Sequence, residues 1–241
     1  MADQEDHKIL KKIGVLGGMG PEATVLFMQK IIQSISAQDD SDHIPLIIDN
    51  NPQIPSRIKA IIDGDGKDPT NTLVAMAQSL QKFGAQALAM PCNTAHYYSK
   101  SIAKSVDIPF INMVDLASEH ALSKVGENGS VGLLGSPALR IAGVYDKALK
   151  EKQLSPIYYD DETTLRTLIE RIKKQEPDEA IAKELSKITE KLINQGADIV
   201  MICCSEFSLL SEKITPQSHI FDSLDALIHA CHAYATDCEI R

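Results

Sequence analysis

Gly84-Ala85-Gln86-Ala87-Leu88-Ala89-Met90-Pro91-Cys92-Asn93-Thr94 and Gly196-Ala197-Asp198-Ile199-Val200-Met201-Ile202-Cys203-Cys204-Ser205-Glu206 are two copies of one pattern. Each opens with Gly-Ala after a helical run, continues as a short apolar strand, and ends on a cysteine followed by a small polar residue. Aligning Gly84 with Gly196 places Cys92 on Cys204, not on Cys203. Upstream, Ile13-Gly14-Val15-Leu16-Gly17-Gly18 matches Val131-Gly132-Leu133-Leu134-Gly135-Ser136. Downstream, Ile108-Pro109-Phe110-Ile111-Asn112 with Asp115 matches Ser218-His219-Ile220-Phe221-Asp222 with Asp225. A repeat of this extent predicts two similar halves, each presenting one thiol from the same structural position.

Composition narrows the functional classes. A hydrophobic content of 44% and a charged content of 24% over 241 residues are those of a globular chain able to bury a substantial core. No apolar run approaches the roughly 20 residues that span a bilayer, so no membrane partner is expected. The acidic start, Met1-Ala2-Asp3-Gln4-Glu5-Asp6, lacks the basic and apolar regions of a signal peptide, and a cytoplasmic location is expected. A net charge of -9 supplies no basic face for a nucleic acid. Five cysteines, an odd number, point to reduced thiols instead of a disulfide framework. Cys92 and His96 alone are a poor metal pattern, and no metal site is expected.

Periodicity predicts strands over residues 12–17, 44–49, 108–113, 131–135, 155–159, 197–204 and 219–222, with another ending at Cys92. Helices are predicted over 21–36, 70–83, 94–105, 140–150, 164–174 and 178–195, with others ending near 125 and 234. Residues 1–11 read as a solvated tail. Residues 50–57, Asn-Asn-Pro-Gln-Ile-Pro-Ser-Arg, carry two prolines that exclude a regular strand or long helix. Alternating strands and helices give an α/β fold of two pseudo-symmetric three-layer halves with parallel sheets. The first half takes residues 1–114, joined by a C-terminal helical segment over 218–241, and the second takes 115–217. Ligands of such sheets sit beyond the carboxyl ends of the strands, where Cys92 and Cys204 both fall. The site is placed in the cleft between the halves.

Gly18-Met19-Gly20-Pro21-Glu22-Ala23 fits G-x-G-x-x-A between a strand and a helix, with Asp49 at the end of the next strand. That order suits a dinucleotide, a carboxylate approaching backbone N–H groups, or a plain structural turn. Cys231 and Cys238 read as buried packing residues. Cys92 and Cys204 each end a strand before a helix, where Thr94 and Ser205 can cap and where the thiolate is favoured below the usual value of roughly 8.5. Two such thiols on opposite sides of one ligand are what a two-base racemase needs: one removes the Cα proton while the other delivers a proton to the opposite face. Arg57, in its proline-framed turn, is a candidate carboxylate clamp. A Cys92–His96 nucleophile pair is a competing reading, though it leaves the duplicated cysteine unexplained. Cys203 and Cys204 alternate sides of a strand and are poorly placed to bridge.

The stretches 13–21, 50–57, Met90-Pro91-Cys92-Asn93-Thr94-Ala95-His96 and Cys204-Ser205-Glu206 together resemble the aspartate/glutamate racemase family, in particular its aspartate racemase branch. The resemblance implies two catalytic cysteines, Cys92 and Cys204, no cofactor, an amino-acid substrate, and a homodimer. It also implies substrate contacts from Ser56, Arg57, Ile58, Asn93, Thr94, Ala95 and Ser205. Three departures stand out. Cys203 replaces the family's glycine before the second cysteine. A threonine-rich loop is reduced to Ser136-Pro137-Ala138-Leu139. A lysine expected near the start of the following helix is absent from residues 162–164, leaving Arg140 or Arg166 to take its place. The expected activity is cofactor-independent aspartate racemisation, with glutamate or a broader set of amino acids as the alternative. A dinucleotide-dependent oxidoreductase and a catalytically silent binding protein are the readings from other classes.

Overall fold

The repeat is a repeat of backbone geometry. Gly84 and Gly196 adopt the left-handed conformation, at φ +94° and +99°, which only glycine takes without cost. Each donates its N–H to the carbonyl three residues back, Gln81 or Ile193, at 2.9 Å. The following alanines, Ala85 and Ala197, donate to Leu80 and Leu192, each at 3.1 Å. Next, Gln86 and Asp198 close matching pairs of bonds. Their N–H groups donate to the Lys12 and Ser130 carbonyls, and their side-chain oxygens accept the Lys12 and Ser130 N–H groups. Each copy is thereby locked beside the first strand of its own half.

The computed structural model describes residues 10–64, 66–174 and 177–237. The first half runs β1 (Ile13–Gly17), α1 (Pro21–Gln33), β2 (Leu46–Asn50), α2 (Thr70–Lys82), β3 (Ala87–Ala89), α3 (Ser99–Lys104) and β4 (Phe110–Ile111). After α4 (Met113–Val125) come β5 (Ser130–Gly135), α5 (Pro137–Ala142), α6 (Asp146–Glu151), β6 (Ser155–Tyr158), α7 (Glu162–Lys174), α8 (Glu179–Asn194), β7 (Ile199–Cys203), α9 (Ser205–Ser208), β8 (Ile220–Asp222) and α10 (Ser223–Thr236). Among the described residues the strands form two parallel sheets of identical order, β2-β1-β3-β4 and β6-β5-β7-β8. This is the expected α/β architecture of two pseudo-symmetric halves.

The halves exchange helices. Val114, Ala117 and Ala121 of α4 pack with Val131, Leu133, Ile199 and Met201 of the second sheet. Leu224, Leu227, Ile228, Cys231 and Ala235 of α10 pack with Ile13, Val15, Ala87 and Ala89 of the first. β8 hydrogen-bonds to β7, so residues 220–222 stay with the second sheet and α10 alone crosses. Asn112 and Asp222, aligned in the repeat, cap these two helices by accepting from the N–H two residues on, at 3.0 and 2.9 Å.

Several boundaries differ from expectation. The helix expected over 140–150 is two, α5 and α6, because Gly143 turns left-handed at φ +59°. The helix expected over 94–105 is a 3-10 turn, Thr94–Tyr98, followed by α3. Arg57, the last residue of the stretch read as a proline-rich turn, is helical with Ile58, and the two lead into a π-turn, Lys59–Asp63. Residues 10 and 11 are not a free tail. Leu10 packs on the α10 core, and the Lys11 N–H donates to Ala235. The rest of the expected tail, and Cys238, lie outside the described residues. Among the described residues no helix is long and apolar enough to cross a membrane.

Candidate active site

Cys204 directly follows β7 and is the residue on which α9 begins. Cys92 follows β3 after Met90-Pro91, with its N–H bonded to the Met90 carbonyl at 2.8 Å, and precedes the 3-10 turn. Both lie past the carboxyl ends of central strands, and each is about one-twentieth exposed (6% and 5%). They line one cleft, partly open to solvent, with about 40 Å³ of water-accessible space. Met19, Ser56, Arg57, Ile58, Asn93 and Thr94 complete its first-half wall, and Ser136, Ile169, Lys173, Ser205 and Glu206 its second-half wall. A narrow cleft walled by charged and polar side chains suits a small polar metabolite.

The catalytic and substrate-contact residues implied by the resemblance converge on this cleft with one exception. Ala95 is wholly buried in the core of the first half and does not line the cleft, although its backbone N–H favours the Cys92 thiolate. Cys203 points the other way, into the core containing Met201 and Leu133, as alternation along β7 requires. Cys92, Cys203, Cys204 and Cys231 are free and buried. Neither Thr94 nor Ser205 caps a helix. The positions preceding the two turns are Asn93 and Cys204, and neither side chain makes a capping bond.

The expectation of acidified thiols is overturned. Burial pushes Cys92 up; Arg57 opposes this, Glu206 adds to it, and the Ala95 N–H and Lys173 oppose it less strongly. Burial pushes Cys204 well above its ordinary value, and the Glu206 carboxylate raises it further against the Phe207 and Glu206 N–H groups. Short turns supply too little field to offset the loss of water around two buried sulfurs. In the unliganded cleft both are thiols.

The Cys–His reading also falls. His96 Nε2 accepts the Met113 N–H at 3.1 Å, which places its proton on Nδ1, and Nδ1–H donates to the Cys92 carbonyl at 2.9 Å. Burial holds the ring neutral, at about 4. His96 ties the backbone of Cys92 to the start of α4 and does not address the sulfur. Asn93 is similarly fixed. Its amide oxygen accepts from the Tyr145 and Ser223 hydroxyls, so its NH₂ faces away from both. The Arg57 guanidinium is steadied by the Pro55 carbonyl at 3.1 Å.

The glycine loop is occupied by the chain itself. An added Cβ at Gly18, at φ +90°, would lie 2.3 Å from the Asn51 backbone, and the Gly18 N–H donates to Thr24 Oγ1 at 2.9 Å. The N–H and the close approach that a bound phosphate would use are therefore spent on the protein, which favours the structural-turn reading.

Arg140 and Arg166 do not reach the cleft. Arg140 pairs with Asp160 and lies over the Tyr158 ring, and Arg166 pairs with Glu170. The second-half cation is Lys173, in the last turn of α7, one turn beyond Ile169, which also lines the cleft. Its Nζ lies 3.3 Å from Glu206 Oε1, and Glu206 Oε2 accepts the Cys204 thiol proton at 3.2 Å. Sequence reasoning assigned no role to Lys173 or Glu206. The i, i+4 spacing of Ile169 and Lys173 was the available signal, but only the packing of α7 on α9 shows which face meets the cleft.

The Asp/Glu/Hydantoin racemase family model matches residues 16–231. The broad-specificity amino-acid racemase RacX of Bacillus subtilis is 27% identical over 230 residues, covering 93% of this chain and 96% of that protein. A glutamate racemase of Persephonella marina is 28% identical over 159 residues, 62% of this chain and 58% of that one. Among solved structures, the aspartate racemase of Picrophilus torridus superposes with a TM-score of 0.77 at 27% identity, covering 96% of each chain.

Proposed function

We propose, because this chain belongs to the Asp/Glu/Hydantoin racemase family and is therefore an amino-acid racemase, that it interconverts L- and D-aspartate without a cofactor, with Cys92 and Cys204 as the two acid/base groups. The observation that carries this reading is that two thiols related by the repeat enter one small cleft from opposite halves. A substrate lying between them presents its Cα–H to one sulfur and its other face to the second. One thiolate takes the Cα proton; the opposite thiol gives its proton to the other face, and the roles reverse for the other enantiomer.

The remaining residues hold the substrate. Arg57 offers its fork to the α-carboxylate; the Asn93 NH₂ and the Thr94 hydroxyl are further donors in the same wall, and the Ser205 hydroxyl is one in the wall opposite. Ser56 and Ile58 flank Arg57. Lys173 is the cation for a second carboxylate, which supports aspartate over a neutral substrate. Substrate binding brings Arg57, Lys173 and the substrate ammonium beside the sulfurs, and positive charge favours the thiolate that burial opposes.

A broader specificity is the alternative, supported by the likeness to RacX over almost the whole chain. The deciding experiment is Cα hydrogen–deuterium exchange over a panel of L- and D-amino acids without added cofactor. Aspartate should exchange fastest. Exchange in several neutral amino acids at equal rates would replace the aspartate assignment with broad specificity, and no exchange in any would remove the racemase reading. A homodimer is supported by Val25, Met28 and Ile32, an apolar stripe on α1 left 59%, 39% and 46% exposed.

A further inference from the structure

Gly84 aligns with Gly196, so Thr94 in the first half corresponds to Glu206 in the second, and here the repeat breaks inside the cleft. One carboxylate joins two groups. Its Oε2 accepts the Cys204 thiol proton at 3.2 Å, and its Oε1 lies 3.3 Å from Lys173 Nζ. We infer that Glu206 is the proton-holding partner of Cys204, kept inactive by Lys173 until a substrate's side-chain carboxylate draws Lys173 away. This inference rests on the racemase reading of the cleft.

Two-base racemisation needs one thiolate and one thiol, yet both sulfurs in the unliganded cleft carry protons. One proton must leave before chemistry begins, and the Glu206 carboxylate is already bonded to it. A carboxylate paired with an ammonium is a poor proton acceptor; relieved of that charge, it holds a proton more tightly. When a dicarboxylate substrate takes Lys173, the Cys204 S–H bond breaks with its electron pair left on sulfur, and an O–H bond forms on Glu206 Oε2. Charge is conserved. The Cys204 thiolate can then take the Cα proton, while Cys92 supplies a proton from the opposite side. The charged and titratable groups facing this pair are Arg57 after β2, Cys92 after β3, Lys173 on α7 and Glu22 at the start of α1. Gly20 separates Glu22 from Glu206: a Cβ placed on it would be 3.5 Å from the Glu22 carboxylate and 4.0 Å from that of Glu206. With a monocarboxylate substrate Lys173 stays on Glu206 and Cys204 stays protonated. The second carboxylate therefore acts on turnover and not only on binding.

The test compares wild type, Glu206→Gln and Glu206→Asp in aspartate racemisation across pH, and measures ultraviolet thiolate absorbance on adding succinate or propionate. The expected result is that Glu206→Gln lowers kcat at least tenfold at neutral pH, regains it as pH rises, and leaves KM for aspartate no higher. Glu206→Asp should keep the wild-type pH profile. Succinate should raise the thiolate signal in wild type and not in Glu206→Gln, whereas propionate should raise it in neither. Unchanged kinetics in Glu206→Gln, or kcat and KM worsening together with an unshifted profile, would overturn the inference and leave the racemase reading intact. Wild-type protein that exchanges no Cα proton with any amino acid would overturn the racemase reading itself.

Discussion

Tyr145, in the turn between α5 and α6, donates its hydroxyl proton to the amide oxygen of Asn93, the neighbour of Cys92 in the other half. Burial raises the phenol well above its ordinary value, so it remains a neutral donor. Tyr145→Phe keeps the ring in its core and removes this bond together with the phenol's bond to Ser223, while Ser223 still holds the amide. The expected cost is about 1 kcal/mol in denaturant unfolding, with a raised KM as the Asn93 amide loses its fixed orientation. An unchanged KM would detach Asn93 from the substrate.

Cys92→Ser and Cys204→Ser should each abolish racemisation with the fold intact, since each thiol serves one face of the substrate. Cys203→Ala should keep most activity, because that sulfur lies in the core behind β7. Dead Cys203→Ala alongside active Cys204→Ala would refute the register of the repeat.

Lys173→Met should raise KM for aspartate roughly tenfold to a hundredfold, the loss of one charge-assisted contact of about 1.5–3 kcal/mol. Neutral amino acids should show no such rise in KM, and with Glu206 released from Lys173 their turnover should increase. Arg140→Ala and Arg166→Ala should leave aspartate kinetics within about twofold, their partners being Asp160 and Glu170 outside the cleft. Steady-state kinetics on aspartate and asparagine separate these outcomes.

Two buried groups give stability opposite dependences on pH. Burial holds His96 at about 4 against an ordinary 6.5. Between those values the unfolded chain binds the proton and the native one does not, so this contribution, of order 3 kcal/mol, is lost as pH falls. Burial and Asp225 hold Asp222 at about 7 against 3.8. There the native state binds the extra proton, and a contribution of order 4 kcal/mol is lost as pH rises from 3.8 to 7. Wild type alone should therefore show a shallow profile. The stability advantage of wild type over His96→Gln should shrink from pH 6.5 to 4, and its advantage over Asp222→Asn should shrink from pH 4 to 7. Parallel curves in urea titrations at several pH values would refute either assignment.

Met28→Glu combined with Ile32→Glu should convert a dimer to a monomer in sedimentation, because both residues are exposed on the same face of α1. A wild type that already sediments as a monomer would withdraw the dimer.

The repeat was legible because its punctuation is chemical. Gly84 and Gly196 must be glycine to turn left-handed, and the aligned Asn112 and Asp222 cap in the same way. The two thiols and the Ser56–Ile58 turn followed from that register and the resemblance. What escaped the sequence depended on packing. Lys173 stands out from Lys174, the other lysine of α7, only because its face meets α9, and His96 resembles a base until both ring nitrogens are seen to be spent on backbone. The thiols were expected to be acidic from their helix starts, but burial outweighs a four-residue α9. Ala95 sits in a family motif for the sake of its backbone N–H and the core behind it.

The crossing of α10 also bears on synthesis. Residues up to Ile111 leave the ribosome with one face of their sheet covered only in part, by Phe27 and Ile31 of α1, because Leu224, Leu227, Ile228 and Cys231, which complete the cover, are translated about a hundred positions later. Throughout that interval Ile13, Val15, Ala87 and Ala89 offer a sticky surface to any chaperone within reach. The later-made half, with α4 already in place, can close its own core first. The earlier-made half then finishes last, so a nascent chain stalled short of α10 would carry a complete Cys204 side and an unfinished Cys92 side.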